Sequence, residues 1–244
     1  MSRGKFGCDG GAMRGYLLLA GGAEFGGRMA EPDMRAMVLA GGLDAQVSII
    51  PAAAAPDNNH ERAGQTGVRW FKQLGAKRAD WLPLIDRTSA NDAVIVEALR
   101  HSRLVYLLGG FPYYLAQTLA DTRGRQAILE AYRKGAVIGG SSAGAMVLCR
   151  RCYDPGTGSM IDGLNLVPEV CLIPHHDTFG KSWAPQLVNL LPENVIIGID
   201  EETAMIDDGP EDKWNVYGKG SVNLYRNGEV SIYPSGKTFS LRSG

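Results

Sequence analysis

The chain has 244 residues, of which 45% are hydrophobic and 21% are charged. This ordinary globular composition excludes a disordered, collagenous or coiled-coil protein, and its length suits one α/β domain with a sizeable core. Lys and Arg total 25 against 26 for Asp and Glu, which gives a net charge of −1. Without a basic excess, neither a nucleic acid nor an anionic membrane surface is predicted as a partner.

The cysteines and the N-terminal composition bear on location. Four cysteines (Cys8, Cys149, Cys152 and Cys171) are too few for a disulfide scaffold in a chain of this length, which favours a reducing compartment. The first thirteen residues lack the apolar segment of a signal peptide, and no apolar run reaches the roughly 18 residues of a membrane span. We therefore expect a cytoplasmic protein, with residues 1–15 as a candidate disordered segment, residues 16–244 as a single domain, and a homodimer left open.

Short apolar segments bounded by Gly or Pro alternate with longer segments of helical period. The apolar segments predict buried strands at 16–20, 47–51, 81–84, 104–108, 137–140 and 195–199. The longer segments have apolar residues three and four positions apart and predict helices at 34–39, 61–74, 91–100, 114–119 and 126–132. Ser89 and Asp92 resemble a capping box at the start of the third helix. This alternation predicts an α/β fold, a mostly parallel sheet with helices on both faces.

The sequence changes character after about residue 203. Short apolar segments at 204–206, 214–217, 222–225 and 230–233 are separated by Gly-containing turns. They predict C-terminal antiparallel strands appended to the sheet.

The segment Gly140-Ser141-Ser142-Ala143-Gly144 follows the predicted strand at 137–140 and fits the G-x-S-x-G pattern of a nucleophile elbow. In such an elbow the central serine lies on a sharp strand-to-helix turn, which requires small flanking residues. Ser142 is the candidate nucleophile, and the amide of Ala143 could help to stabilise an oxyanion. Ser141 is a weaker candidate because it lacks glycines two positions away on both sides. The alternative is a Gly-rich turn that only packs a helix or binds a phosphate.

A serine nucleophile needs a base, and the chain has four histidines. His60 and His101 have the surroundings of solvated or capping residues. His175 and His176 follow an apolar, strand-like segment, so one of this pair is the candidate base. His175, His176 and Asp177 also suggest a metal site, but we disfavour it because adjacent side chains on an extended segment point to opposite sides. The Cys149-x-x-Cys152 pair is interpreted as buried thiols on the helix after the elbow.

Three consecutive acids, Asp200, Glu201 and Glu202, directly follow the predicted strand at 195–199. One of these carboxylates would be placed to accept the imidazole proton, although a solvated turn is the simpler alternative. The resulting chain order of serine, histidine and acid differs from the order in α/β-hydrolases.

The elbow Gly-Ser-Ser-Ala-Gly-Ala, the Pro174-His175 pair, the Gly198–Ala204 segment and Leu-Gly-Gly-Phe-Pro at 108–112 together resemble the serine peptidases of the dipeptidase E and cyanophycinase family. The resemblance implies a class I glutamine amidotransferase-like, flavodoxin-like fold and hydrolysis through an acyl-enzyme without a cofactor or metal. By matching position, it implies Ser142 as nucleophile, His175 as base and Glu201 as the acid that orients it. The same match implies that the backbone amides of Gly110 and Ala143 form the oxyanion hole.

The substrate-contacting positions depart from that family. Phe111 and Pro112 stand where cyanophycinases have polar residues, so we expect both to contact the substrate in a more apolar pocket. Lys181 is a candidate cation for an acidic substrate, with Arg28 and Arg62 as further candidates. The predicted activity is that of a serine exopeptidase on short or unusual peptides, Asp-containing ones among them. A serine esterase or acyltransferase and a noncatalytic binding module are the alternatives.

Overall fold

The computed structural model describes residues 14–210 and 213–241, so most of the candidate N-terminal segment 1–15, including Cys8, lies outside the described residues. The described strands are, in chain order, β1 Leu17–Ala20, β2 Gln46–Ile50, β3 Arg78–Trp81, β4 Leu104–Leu107, β5 Val137–Ser141, β6 Arg151–Asp154, β7 Ser159–Asp162, β8 Val170–Ile173, β9 Val195–Ile199, β10 Thr203–Ile206, β11 Trp214–Gly218, β12 Ser221–Arg226, β13 Glu229–Pro234 and β14 Thr238–Phe239. The described α-helices are α1 Ala30–Ala40, α2 His60–Gln73, α3 Ala93–His101, α4 Pro112–Leu119, α5 Arg123–Arg133, α6 Ala143–Leu148 and α7 Ala184–Leu190.

Within the described residues, the main sheet has the strand order β14-β11-β10-β1-β5-β4-β2-β3. The run from β1 to β3 is parallel, whereas β10, β11 and β14 extend the sheet with antiparallel pairs. A second sheet has the order β13-β12-β9-β8, and β6 and β7 form a hairpin. The predicted α/β class with a mostly parallel sheet and C-terminal antiparallel strands is therefore confirmed.

Alternation along the central strands explains the two layers of helices. Leu17 and Leu19 of β1 point into one hydrophobic core, and Leu18 and Ala20 point into the other. Helices α1 and α2 supply Met37 and Phe71 to the second core, while α3 to α7 and the second sheet contribute to the first. Because both faces of β1 are covered, its sequence is a continuous apolar run.

The structure corrects two local predictions. The strand predicted at 81–84 lies earlier, at β3, because Pro83 has no amide hydrogen with which to continue the ladder. The capping box is also wrong: Asp92 itself is the N-cap of α3, and its Oδ1 accepts hydrogen bonds from the amides of Val94 (2.8 Å) and Ile95 (3.1 Å). Ser89 instead bonds to Asp86 in the preceding turn.

The C-terminal strands are divided between the two sheets. Strands β10 and β11 extend the main sheet as predicted, but β12 pairs with β9 and β13 pairs with β12 in the second sheet. Cys149 and Cys152 are buried but lie beyond α6, which ends at Leu148, so their predicted placement on that helix is wrong. None of the helices in the described ranges is long and apolar enough to cross a membrane.

The carboxyl ends of strands from both sheets meet at one edge. The amide of His175, after β8, donates to the carbonyl of Gly21, after β1, at 2.8 Å. The amide of Ser142, after β5, donates to the carbonyl of Ala20 at 3.0 Å. Loops at the carboxyl ends of parallel strands are the usual position of ligand sites in α/β proteins.

Candidate active site

Ser142 occupies a strained turn between β5 and α6. Its backbone has φ 50° and ψ −117°, a conformation that residues with side chains rarely adopt. The flanking glycines make the turn possible: a Cβ atom on Gly140 would lie 2.5 Å from the carbonyl carbon of Gly144, and one on Gly144 would lie 2.1 Å from the carbonyl oxygen of Leu107. The glycines of the G-x-S-x-G pattern are therefore required by close backbone contacts on both sides of Ser142.

Ser141, the competing serine, points elsewhere. It is fully buried, and its hydroxyl donates to Glu24 Oε2 at 2.8 Å. Glu24 was not predicted from the sequence. It lies between two residues of positive φ, Ala23 at 53° and Phe25 at 64°, in the loop that follows β1. An acid two positions beyond the Gly21-Gly22 doublet at the end of a predicted strand was the signal that could have identified it.

His175 joins the other two candidate catalytic side chains. Its Nε2 lies 3.0 Å from Ser142 Oγ, and its Nδ1 lies 2.8 Å from Glu201 Oε1. A Cβ atom on Gly22 would lie 2.2 Å from His175 Cε1, so the imidazole occupies space that only glycine leaves free. The structure thus brings Ser142, His175 and Glu201 into one hydrogen-bonded chain, the arrangement that serine hydrolases use to remove the hydroxyl proton.

Glu201 alone of the three consecutive acids contacts His175. The amide of Glu201 donates a hydrogen bond to Asp177 Oδ1 at 2.8 Å, which holds the backbone of Glu201 in place. Glu202 contacts Lys219 Nζ at 3.3 Å and accepts a hydrogen bond from the Arg28 amide at 3.2 Å. The Arg28 amide and the Lys219 ammonium group lower the pKa of the Glu202 carboxyl below its ordinary value.

His176 belongs to a second hydrogen-bonded chain, which we call the buried relay. Its Nδ1 lies 3.3 Å from Asp200 Oδ1, and its Nε2 lies 2.8 Å from the hydroxyl of Tyr225. Asp200 Oδ2 also accepts the amide hydrogen of Ser221 at 2.8 Å. Burial and the nearby charge of Asp200 raise the pKa of Tyr225 above its ordinary value.

The two neighbouring histidines therefore turn to different partners. The reason given from the sequence, an extended backbone, is wrong, because His175 has φ 50° and the chain bends there. Asp177 is engaged with the Glu201 amide rather than with either imidazole. Within residues 14–210 and 213–241 no group of three His, Cys, Asp or Glu side chains is arranged to hold a metal ion.

The candidate oxyanion loop passes beside Ser142. A Cβ atom on Gly109 would lie 3.2 Å from Ser142 Cβ, so this loop and the serine are in close contact. Gly110 has φ 138°, and a Cβ atom there would lie 2.2 Å from the carbonyl oxygen of Ala53. Ala143 is the first residue of α6, so its amide has no acceptor within the helix.

The candidate substrate contacts differ in exposure. Phe111 directly follows the Gly109-Gly110 loop and is 44% exposed, whereas Pro112 is buried at the first position of α4. Lys181 is exposed. Phe179 was missed by the sequence analysis although its ring stacks on the His175 imidazole. The sequence offered no specific signal for it beyond its place four residues after the histidine.

The fold and the relatives define the class of this protein, which is a serine-type peptidase. The chain belongs to peptidase family S51, whose family model matches residues 17–211. The resemblance to the dipeptidase E and cyanophycinase family inferred from the motifs is therefore confirmed.

Individual relatives support this assignment over most of the chain. A cyanophycinase from Geminocystis herdmanii (strain PCC 6308) is 31% identical over 225 residues, covering 87% of this chain and 80% of the relative. A cyanophycinase from Nostoc sp. (strain PCC 7120) is 30% identical, covering 76% of this chain and 64% of the relative. The crystal structure of a peptidase from an acI-B1 Actinobacterium superposes with a TM-score of 0.84 at 30% identity, covering 94% of this chain and 98% of that one.

Proposed function

We propose that the protein is a serine exopeptidase that hydrolyses short or unusual peptides, Asp-containing ones among them, through an acyl-enzyme on Ser142. The observation that carries the proposal is the chain of contacts from Ser142 Oγ to His175 Nε2 and from His175 Nδ1 to Glu201 Oε1, at 3.0 and 2.8 Å. These are the distances at which a proton passes between such groups.

The reaction follows from these contacts. Ser142 Oγ attacks the scissile carbonyl carbon while His175 Nε2 takes the hydroxyl proton, and the amides of Gly110 and Ala143 stabilise the oxyanion. His175 then returns the proton to the leaving amine, and the carbon–nitrogen bond breaks to leave an ester on Ser142. A water molecule, activated by the same imidazole, hydrolyses this ester. Glu201 holds the imidazole in the tautomer that has a free Nε2 lone pair.

Two features bear on the substrate. The exposed ring of Phe111 beside the candidate oxyanion loop favours a partly apolar pocket, which predicts modest preferences among small peptides. The similarity to two cyanophycinases favours a second candidate substrate, the Arg-decorated poly-Asp polymer cyanophycin. In that case Lys181, Arg28 or Arg62 would have to bind its charged groups.

We also propose that the enzyme acts in the reducing cytoplasm, that residues 16–244 form one domain, and that small peptides rather than nucleic acids are its partners. Cys149, Cys152 and Cys171 are buried and free, and burial raises the pKa of each of the three thiols. The two sheets share one hydrophobic core, which supports a single folding unit.

Labelling with a fluorophosphonate tests the nucleophile directly. We expect one covalent adduct, located on Ser142 by peptide mass spectrometry, and we expect it to disappear in the Ser142→Ala variant. Ser141→Ala is the matched control because it removes the adjacent hydroxyl and should still be labelled. No labelling of the folded protein would favour the binding-module alternative, and an adduct on Ser141 would show that the wrong serine was chosen.

An assay at equal concentrations of Asp-X dipeptides, neutral dipeptides, cyanophycin and a simple aryl ester then separates the activities. The proposal predicts hydrolysis of both Asp-X and neutral dipeptides, with small differences between the two groups when the leaving residue is the same, and weak or no release from cyanophycin. A strong preference for cyanophycin would replace the dipeptide proposal with the second candidate, and hydrolysis of the ester alone would indicate an esterase.

A further inference from the structure

Phe179 covers one face of the candidate catalytic histidine while remaining open to solvent. Its ring centroid lies 4.8 Å from that of His175, with an angle of 26° between the ring planes. The residue is nevertheless 55% exposed, although burial of a Phe side chain would stabilise the fold. A large apolar side chain is thus held at the surface next to the imidazole instead of in the core.

The backbone between the two rings fixes this position. The carbonyl oxygen of His175 accepts hydrogen bonds from the amides of Thr178 (3.1 Å) and Gly180 (2.9 Å), so the chain folds back over His175. A Cβ atom on Gly180 would lie 1.9 Å from the carbonyl oxygen of Pro174, so the turn requires glycine there. Phe179 is consequently presented to the imidazole by a closed turn.

A row of aromatic rings supports Phe179 from behind. Its ring meets that of Trp183 at 5.7 Å and 60°, and Trp183 meets Tyr153 at 5.6 Å and 59°. Tyr153 is buried in the hairpin strand β6. Edge contacts of this kind between aromatic rings are favourable, so Phe179 is the exposed end of a row that is anchored in the protein interior.

We infer that Phe179 forms an apolar wall of the subsite for the residue that leaves with the free amine, and that the enzyme prefers peptides in which this residue is large and apolar. The inference rests on the proposed function. Because His175 Nε2 gives its proton to the leaving amine, that residue must lie beside the imidazole during acyl transfer. The Phe179 ring covers one face of this imidazole and is partly exposed. The side chain of the leaving residue therefore contacts the exposed part of the Phe179 ring.

The test uses a series of peptides with one fixed acyl residue and a variable leaving residue: Gly, Ala, Leu, Phe or Lys. The quantity to compare is kcat/KM, since it reports acylation, the step in which the leaving residue is present. The wild-type enzyme should favour Leu and Phe over Gly by about tenfold or more, the range expected for an apolar pocket. Phe179→Ala should remove most of this preference while changing the value for the Gly peptide by less than about threefold.

Two further variants make the result specific. Phe179→Leu keeps an apolar side chain and should retain most of the preference, and it also provides a result if the alanine variant folds poorly. Phe111→Ala removes an exposed aromatic side chain near the candidate oxyanion loop instead of near the imidazole. It should change kcat/KM for all leaving residues by a similar factor.

Two outcomes would overturn the inference. If Phe179→Ala lowers kcat/KM equally for every leaving residue, the ring only orients the imidazole and is a positioning residue. If the wild-type enzyme shows no preference among leaving residues, there is no such wall. In both cases fluorophosphonate labelling of Ser142 and turnover of the Gly peptide would still be observed. Failure of the proposed function would instead appear as the loss of both.

Discussion

Two hydrogen-bonded chains of the same composition lie side by side in this protein. Each consists of a hydroxyl group, an imidazole and a carboxylate: Ser142, His175 and Glu201 in one, and Tyr225, His176 and Asp200 in the buried relay. The two histidines are adjacent in sequence. Their surroundings differ, because the side chain of His175 is 19% exposed and that of His176 only 5%.

The difference shows that the order of groups does not by itself define a catalytic site. Ser142 lies on a strained turn at the edge of the sheet, in close contact with the loop at Gly109. Tyr225 lies within the second sheet, and burial raises its pKa, so its hydroxyl remains a protonated hydrogen-bond donor at neutral pH. We therefore expect Ser142, His175 and Glu201 to take part in the reaction, and the buried relay to stabilise the folded protein.

The largest difference in activity is expected between variants that remove the two hydroxyl groups. Ser142→Ala should lower kcat by about four to six orders of magnitude, as removal of a serine nucleophile does in other triads, with little change in stability. Tyr225→Phe is the matched change in the buried relay and should lower kcat by less than about threefold. Initial rates on a dipeptide and thermal melts of both variants make the comparison. Equal loss of activity in the two would refute the division of roles.

The losses of activity in the two histidine variants should differ almost as much. His175→Ala is expected to lower kcat by several orders of magnitude, whereas His176→Ala should lower it far less. Thermal or urea unfolding should rank them in the opposite order, because the loss of His176 removes the partner of the Tyr225 hydroxyl and one of the partners of Asp200, at a cost of about 1–3 kcal/mol.

Chelators provide a second check on the histidines. A chelator should leave the rate unchanged. Loss of activity in chelator with recovery on addition of zinc would revive the metal interpretation of His175, His176 and Asp177.

A smaller effect is expected at the carboxylates. Glu201→Gln should lower kcat by about two to four orders of magnitude, since an amide can hold the imidazole in the wrong tautomer. Asp200→Asn and Glu202→Gln are matched controls from the same segment, and neither side chain contacts His175. Both should lower kcat by less than about tenfold, and a larger loss at Asp200 than at Glu201 would mean that the buried relay takes part in turnover.

The smallest effect on activity, together with a measurable effect on stability, is expected at the far end of the buried relay. The Tyr225→Phe variant removes one hydrogen bond, to His176 Nε2, and should lower the free energy of unfolding by about 1 kcal/mol. Urea unfolding monitored by fluorescence measures this change. A loss of several kcal/mol would show that the Tyr225 hydroxyl stabilises more of the second sheet than this one hydrogen bond.

The sequence was sufficient to predict the fold class because buried parallel strands have nearly continuous apolar sequences, as at Val195–Ile199. It could not assign β9 to a second sheet, because an apolar run specifies burial and does not specify its neighbour. Glu24 and Phe179 were missed for a related reason. Their places beside Ser141 and His175 depend on loops with positive φ or tight turns, whose course no periodicity reveals.

The elbow serine, by contrast, was identifiable because its local geometry demands particular residues at fixed spacing. Gly140 and Gly144 are within contact of neighbouring backbone atoms, and any larger residue would prevent the turn. The His175 and Glu201 assignments depended on the family resemblance, since the residues alone left the choice open among two histidines and three acids.

Gly22 has a consequence for how such an enzyme could lose its activity without losing any functional group. A methyl group there would fall 2.2 Å from His175 Cε1 and would displace the ring from both Ser142 and Glu201. The serine, the imidazole and the carboxylate would all remain, and β1, which ends just before Gly22, would keep its apolar core. In a duplicated copy of this chain, one substitution at a residue with no chemistry of its own would leave an inactive scaffold that still carries the complete motif.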